Sequence, residues 1–498
     1  MAYIGIDIGT SGVKVVVCNA DGAVLGSETS SLTTSNPKTM WAEQNPQDWW
    51  DAVLACLDRL TESGLTAGTQ SIGLTGQMHG AVLLDSDNKI LRPAILWNDG
   101  RSAIECEELT NMVANIEGIS GNLVMPGFTA PKLLWVAKHE PEIFAKVAKV
   151  LLPKDYIRFK LSGDFATDMS DASGTCWLDV GRRQWSDTVL NACDLTVAHM
   201  PKLYEGTQIT GTIKYQLASR WQIKAVPIAA GAGDNAAGAV GSGVIFDGQT
   251  ILSLGTSGVL FSATEKFLAN PTQALHSFCH ALPNKWHVMS VHLSAAACLQ
   301  WFADVSAQGS VDTLMDELSN TDIQLNHNIF FLPYLSGERT PYNNPSMAGE
   351  FIGLTADVSR AQMTFAILEG VAFAFKNGLE VMHAADVFPS EISIIGGGAK
   401  SVVWRQLIAD VLGVAMIFRD GGDVGPALGA ARLAQLSVQP ELNIDQICAA
   451  PAEQMLHVPC EDHADQHMQR FALFRSYSLQ ANERRILSEF QSNGDKAQ

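Results

Sequence analysis

The chain reads as an α/β protein built from two related lobes with a cleft between them. Three observations carry this expectation. The pentapeptide Gly-Thr-Ser-Gly-Val occurs twice, at Gly9–Val13 and at Gly255–Val259. Each copy is flanked by short apolar, strand-like stretches, so each predicts a hairpin at the head of a half-chain. The 498 residues also exceed what one hydrophobic core organises, which predicts two domains of roughly 200–250 residues. The expected division is 1–246 for the first lobe, 247–491 for the second and 492–498 for a frayed polar tail.

The elements follow in order. Tyr3 to Ile8 is apolar and strand-like, Gly9–Gly12 turns, Lys14 to Cys18 returns, Asn19–Gly22 turns again and Ala23 to Thr29 completes a meander. Pro46 to Glu62 predicts a helix, capped by Asn45 and opened by Pro46. Ser71 to Leu74 is a short strand followed by the loop Gly76–Gly80, and Ala81 to Trp97 predicts a hairpin turning at Ser86–Asn88. Residues 98–225 read as a mixed insertion with a helix near Lys132 to His139. Val226 to Ala230 is a strand that runs into Gly231–Asn235 and a helix. The second half repeats the hairpin, then gives a strand over Glu391 to Ile395, a Gly396–Gly398 turn and a helix over Ser401 to Leu412. Asp423 to Ala434 predicts a Gly/Ala-rich helix suited to close packing. Asp465 to about Phe490 predicts an amphipathic helix.

Composition excludes several function classes. Hydrophobic residues make up 47% and charged residues 17% of the chain, the balance of an ordinary globular enzyme. The net charge of −19 argues against nucleic acid as a partner. No apolar run is long enough to span a bilayer. The N-terminus has no basic segment followed by an apolar one, so no signal peptide and a cytoplasmic location are expected. The nine cysteines are scattered without a CxxC pair, which predicts reduced thiols with no zinc or disulfide framework.

The glycine turns supply backbone N–H groups and small side chains at Gly9, Thr10, Ser11, Gly255 and Thr256, a composition that cradles phosphate. The P-loop pattern is absent, and Gly396–Lys400 lacks the dinucleotide spacing. Asp7 is the first charged residue, inside an apolar strand, and Ser253 is its counterpart in the repeat. It reads either as a Mg²⁺ carboxylate beside a nucleotide or as a turn-forming Asp. Lys14 is a phosphate-neutralising cation or a solvated strand lysine. Asp234 is a helix N-cap or a general base for an attacking hydroxyl. His79, with Gln77 and Met78, sits in a Gly-bounded loop suited to a polyol, and Trp97, Asn98 and Asp99 add groups of hydroxyl-binding type.

IGIDIGTSGVKVVV, PGFTAPKLLWVAKHE (Pro126 to Glu140), ILSLGTSGV, PYLSGERTPYNNP (Pro333 to Pro345) and IIGGGAKSVVWRQLIAD (Ile394 to Asp410) together resemble the FGGY carbohydrate kinases over nearly the whole chain. The resemblance implies two ribonuclease-H-like lobes of the actin/hexokinase kind, with ATP and sugar in the cleft. It matches Asp234 to the catalytic base and Asp7 to the metal-associated aspartate. It matches Thr10, Ser11, Gly255 and Thr256 to phosphate contacts, and Gly397, Gly398 and Ser401 to the adenosine segment. Gly9 and Lys14 complete the expected ATP set. Gln77, Met78, His79, Asn98, Asp99 and Asn235 form the expected sugar set. GQMHG (Gly76 to Gly80) and WNDGR (Trp97 to Arg101) resemble the type that takes D-xylulose rather than glycerol. The implied cofactors are ATP as co-substrate and Mg²⁺. The implied partners are a small sugar and ATP, with a homodimer left open. Rival readings are a ribulose, gluconate or other polyol kinase, a non-catalytic sugar sensor, and an actin-like filament or chaperone ATPase.

Overall fold

The structure, a computed structural model, describes residues 1–321, 325, 327–419 and 425–494, with 485–494 as backbone only. The first half opens with β1 (Ala2–Ile8), β2 (Gly12–Asn19) and β3 (Val24–Ser31), the expected meander. β1 is almost entirely buried, whereas the edge strand β3 alternates between partly buried and exposed residues. Helix α1 (Pro46–Glu62) has the predicted bounds, and the Asn45 side chain accepts from the Gln47 amide. Its stripe of Trp49, Val53, Cys56, Leu57 and Leu60 is buried at helical spacing. Each fully buried large apolar side chain of this kind contributes about 1.5–3 kcal/mol.

The first sheet continues with β4 (Thr69–Gly76), which lies parallel to β1. Helices α2 (Thr129–His139), α3 (Pro153–Ser162) and the short α4 (Met169–Ser173) follow. Then come β5 (Ile209–Thr212), β6 (Pro227–Ala229), β7 (Ala232–Gly233) and helix α5 (Asp234–Ser242). The sheet order is β5-β6-β4-β1-β2-β3, with β7 also paired to β4. The hairpin expected over 81–97 is only partly formed. Val82–Leu84 pairs with Lys149–Leu151 and Ala94–Ile95 with Glu43–Gln44, because both arms find partners outside the turn.

The second half repeats the plan. β8 (Thr250–Leu254) and β9 (Gly258–Thr264) form the second GTSGV hairpin, with β10 (His276–Cys279) and β11 (Trp286–His292) beyond them. Helices α6 (Ala296–Ser306) and α7 (Arg360–Ala384) precede β12 (Glu391–Ile395), α8 (Val402–Leu412) and β13 (Ala415–Arg419). Helix α9 (Gly425–Val438), β14 (Glu453–His457) and α10 (Ala464–Gly494) complete the chain. The sheet order is β10-β11-β9-β8-β12-β13-β14. The run β3-β2-β1-β4-β6 thus recurs as β11-β9-β8-β12-β13, with the same antiparallel and parallel pairings.

Each half has its own core, one around Ile4, Trp49 and Trp221, the other around Leu254, Phe373 and Trp404. A third core spans both halves through Phe128, Trp177, Phe261, Phe278 and Met289. Helix α9 belongs to the second half in sequence yet covers the first sheet. A Cβ on Gly5 would lie 1.9 Å from the Ala427 carbonyl oxygen, and one on Gly73 1.9 Å from that of Ala430. The same helix meets α5, where a Cβ on Gly429 would lie 1.8 Å from the Ala237 carbonyl. Only glycine permits these approaches. The start expected for this helix, Asp423, lies outside the described residues. At the far end α10 runs on through Gly494, past the Ser492 where a frayed tail was expected, and 495–498 lie outside the described residues. Eight of the nine free cysteines are buried and Cys460 is partly exposed. Among the described residues no helix is long and apolar enough to cross a membrane.

Candidate functional site

Parallel pairing brings the two chemically expected carboxylates to one sheet edge. Asp7 pairs with Thr75 and Ile8 with Gly76, while Ala232 pairs with Thr75 and Gly233 with Gly76. β1, β4 and β7 therefore end together. Asp7 and Asp234 leave strands two positions apart, about 10 Å at the usual strand spacing. The carboxyl ends of parallel strands are where α/β sheets bind ligands.

Burial first, and the charge of Asp234 second, push the Asp7 carboxyl up to about 7, against the opposing pull of Lys14 on the facing strand. Its Oδ1 is buried without a hydrogen-bond partner. Asp234 is raised to about 6 by burial, offset by hydrogen bonds from the Asn235 amide at 2.7 Å and the Asn235 side chain at 3.0 Å. The N-cap of α5 is Gly233, so Asp234 opens the first turn rather than capping it.

A cavity of about 200 Å³ lies beside Asp234. The first half lines it with Met78, His79, Trp97, Asp234 and Asn235, and the second half with residues that include Val259, His276, Phe278 and Arg339. His79 sits at φ 68°, a left-handed conformation rare for a non-glycine residue. Strain of that kind costs about 1–3 kcal/mol. Its backbone carbonyl accepts from the buried Lys132 ammonium at 2.9 Å and the Thr129 hydroxyl at 3.2 Å, which fix the loop.

His79 Nδ1 lies 2.6 Å from the Gly174 carbonyl, which can only accept. The proton is therefore on Nδ1, and Nε2 is left as an acceptor. Burial lowers this imidazole to about 3, so it is neutral and can receive a hydroxyl hydrogen. Gly174 must be glycine here, since a Cβ would sit 2.5 Å from the His79 ring. On the opposite wall the Asn122 amide nitrogen donates to the Ser120 and Ser277 carbonyls. Its oxygen therefore accepts from His276 Nδ1 at 2.9 Å. That leaves His276 Nε2 to face the Arg339 guanidinium at 3.4 Å.

The other expected residues fall into two groups. Thr10 donates to Gln77 Oε1 at 3.0 Å and accepts from Trp97 Nε1 at 2.9 Å, so its hydroxyl and the Gln77 carbonyl are engaged with each other. Gln77 also donates to Gln44 and does not line the cavity. Asn98 is exposed and Asp99 buried, and neither lines the cavity. The Asp99 carboxylate accepts from the Ala42 amide at 2.6 Å and from Arg101 Nε and Nη2 at 2.8 and 2.7 Å.

The Gly9 and Gly255 amides close their own turns onto the Gly12 and Ser257 carbonyls. The turn tips therefore present Thr10, Ser11 and Thr256. Ser401 caps α8 by accepting from the Trp404 amide at 3.2 Å. Gly397 faces open space, and Gly398 lies against Leu254. Arg339 stands in the Pro333–Pro345 segment and His276 on β10, and neither carries a sequence signal of its own. Both reach the cavity only through tertiary packing of the second half. Among the described residues no cluster of three or more His, Cys, Asp or Glu side chains is assembled for a metal.

Two family profiles match this architecture: the N-terminal domain of the FGGY family of carbohydrate kinases over residues 2–241, and the C-terminal domain over 250–438. The chain belongs to the FGGY family of carbohydrate kinases. It is 50% identical over 473 residues to a xylulose kinase of Escherichia coli, spanning 95% of this chain and 98% of that one. It is 51% identical over 439 residues to a xylulose kinase of Klebsiella pneumoniae, spanning 88% and 90% of the two chains. A solved xyloylose kinase from Brucella ovis superposes with a TM-score of 0.93 at 41% identity, covering 97% of this chain and 100% of that one. The expected actin/hexokinase-like α/β fold and carbohydrate-kinase class therefore hold for this FGGY chain.

Proposed function

We propose that the chain is an ATP-dependent kinase that phosphorylates D-xylulose at its C5 hydroxyl. The observation that carries this reading is the meeting of a raised-pKa carboxylate, Asp234, with the Met78–His79 loop in one cavity. Two relatives identical at 50% and 51% of the aligned residues are xylulose kinases, which supports the choice of sugar. At about 200 Å³ the cavity is smaller than the 300–1,000 Å³ of drug-sized sites and suits a small sugar.

In this reading Asp234 accepts the hydroxyl proton as the oxygen attacks the γ-phosphorus of ATP. A base poised near 6 is ionised at neutral pH yet still basic enough to help. His79 Nε2 orients the sugar by accepting from a hydroxyl, and Met78 and Asn235 complete that wall. The tips at Thr10, Ser11 and Thr256 contact phosphate, with Lys14 nearby on β2. The Gly397–Gly398 turn holds the adenosine.

Asp7 fits a Mg²⁺ ligand because its buried Oδ1 has no partner of its own and a second carboxylate lies close by. One or two carboxylates plus substrate phosphates is the usual protein share of a Mg²⁺ site. When bound, the ion would neutralise charge on the transferring phosphate. The domain division at 246/247 and a cytoplasmic location belong to the same reading.

A gluconate kinase is the second reading. Arg339 favours it, because a guanidinium in the cavity wall suits a sugar acid. ADP release measured with D-xylulose, D-ribulose, gluconate, glycerol and no sugar decides. D-xylulose is expected to give the highest kcat/KM, and a preference for gluconate would overturn the assignment.

A further inference from the structure

The first half buries a group of charges that the phosphoryl-transfer reading does not use. On α3, Lys154, Asp155 and Arg158 are fully buried, as are Asp168 and Asp171 at the edge of α4. Such side chains are almost never buried unless paired. Lys154 Nζ lies 2.6 Å from Asp155, 2.8 Å from Asp168 and 3.1 Å from Asp171. None of the five lines the cavity. Three carboxylates thus share two cations. Burial raises Asp155 and Asp171 above the ordinary carboxylate range, against the pull of Lys154.

The cluster points at one backbone segment. Arg158 Nη1 donates to the Ala229 carbonyl at 2.8 Å and to the Thr210 hydroxyl at 2.6 Å, and its Nη2 donates to the Ala230 carbonyl. Asp168 Oδ1 accepts from the Ser170 amide at 2.8 Å and the Ser170 hydroxyl at 2.5 Å. With its hydrogen committed to Asp168, the Ser170 oxygen offers a lone pair, and the Gly233 amide donates to it at 3.0 Å. Gly233 immediately precedes Asp234. The stretch 229–233 is thus held by its carbonyls at one end and by its last amide at the other.

We infer that the Lys154–Asp168–Ser170 relay and the Arg158 clasp are a positioning device for Asp234, holding its carboxylate at the angle the sugar hydroxyl requires. The inference rests on Asp234 being the base. Ser170 is its most testable part, because it is neutral and its loss leaves every ion pair intact. Misplacing a reacting group by about 1 Å costs on the order of 10²-fold.

The test compares Ser170→Ala with Ser173→Ala. Both residues lie on α4, and the Ser173 hydroxyl likewise accepts one buried amide, that of Cys279 at 3.0 Å. Ser170→Ala is expected to lower kcat by about 10–100-fold with the KM for ATP unchanged. Ser173→Ala should stay within about 3-fold of the parent kcat. By hydrogen exchange, amides 229–235 should exchange at least about 10-fold faster in Ser170→Ala than in Ser173→Ala. Ser170→Cys, close in volume but a weaker acceptor, should fall between parent and Ser170→Ala, and it carries the comparison if the alanine variant does not fold. Equal kcat losses with equal exchange in the two alanine variants would overturn the relay, as would a Ser170→Cys kcat equal to that of the parent. If the parent transfers phosphate to no sugar of the panel, the base reading fails, and the exchange comparison still decides the relay.

Discussion

The two GTSGV turns share five residues and differ in geometry. In the first, Ile8 pairs with Val13 and the Gly9 amide closes onto the Gly12 carbonyl at 3.0 Å. In the second, Leu254 pairs with Gly258 and the Gly255 amide closes onto Ser257 at 3.1 Å, one residue tighter. Neighbours account for the difference. The first tip is held by side chains as well as backbone, with Gln77 and Trp97 on the Thr10 hydroxyl, Gln44 on the Thr10 carbonyl and the Leu32 amide on the Ser11 carbonyl. The second tip is gripped through its backbone, where the Gly255 and Thr256 carbonyls accept from amides at the head of α6. The first turn also follows Asp7, where the second follows Ser253. A repeated peptide therefore marks a repeated position, while tertiary context sets its register and its chemistry. In the proposed mechanism the first turn lies on the reacting side and the second on the holding side.

That division can be broken by mutation, starting where the effect is largest. Asp234→Ala removes the proposed base and is expected to lower kcat by at least about 10²–10⁴-fold in a sugar-dependent ADP-release assay. A near-parental rate would end the division. Asp7→Asn should cost about 10²-fold in kcat and demand more Mg²⁺, whereas Ser253→Ala at the matching position should change kcat by less than about 3-fold. Equal losses would make the turns equivalent.

Gly174→Ala forces the His79 ring aside and should raise the KM for the sugar by about 10-fold with little change for ATP, read from initial rates. The pH profile sharpens the same contrast. With Asp234 near 6, kcat/KM should fall on an acidic limb at about pH 6 rather than pH 4. The stability consequence has the opposite sense. A carboxyl raised in the folded state destabilises it when ionised, so Asp234→Asn should raise Tm at pH 8. That gain should shrink as pH falls through 6 and vanish below 4. The smallest effect is expected at Gly397→Ala. Its Cβ meets open space, so stability should move by less than about 1 kcal/mol by thermal unfolding, while the KM for ATP rises a few-fold.

Much of the fold was legible because local signals agreed. Asn45 and Pro46 set the start of α1, and glycine at Gly396 fits its φ of 101°. The GTSGV pair located both hairpins. The sheet-edge meeting of Asp7 and Asp234 was legible only by analogy, since their partner strands are far apart in sequence.

Three things were hidden. The partners of Asp99, Ala42 and Arg101, could not be read from the sequence. Arg339 had no role of its own within the Pro333–Pro345 segment until packing turned it toward His276. The charges at Lys154 and Arg158 have the four-residue spacing of a solvated helix face, and only three-dimensional burial separates them from one. Polar residues are ambiguous in sequence because the same side chain serves solvent, structure or ligand, and the neighbours decide.

The path of α9 has a consequence for dissecting the protein. Gly5 and Gly73 lack side chains so that Ala427 and Ala430 can touch the strands carrying Asp7 and Thr75. A fragment ending at residue 246 would expose that bare glycine stripe to water, and a fragment beginning at 247 would carry a helix with nothing to lie against. The two pieces are therefore each other's missing wall. Expressed together they have reason to reassemble, and expressed alone neither is a finished folding unit.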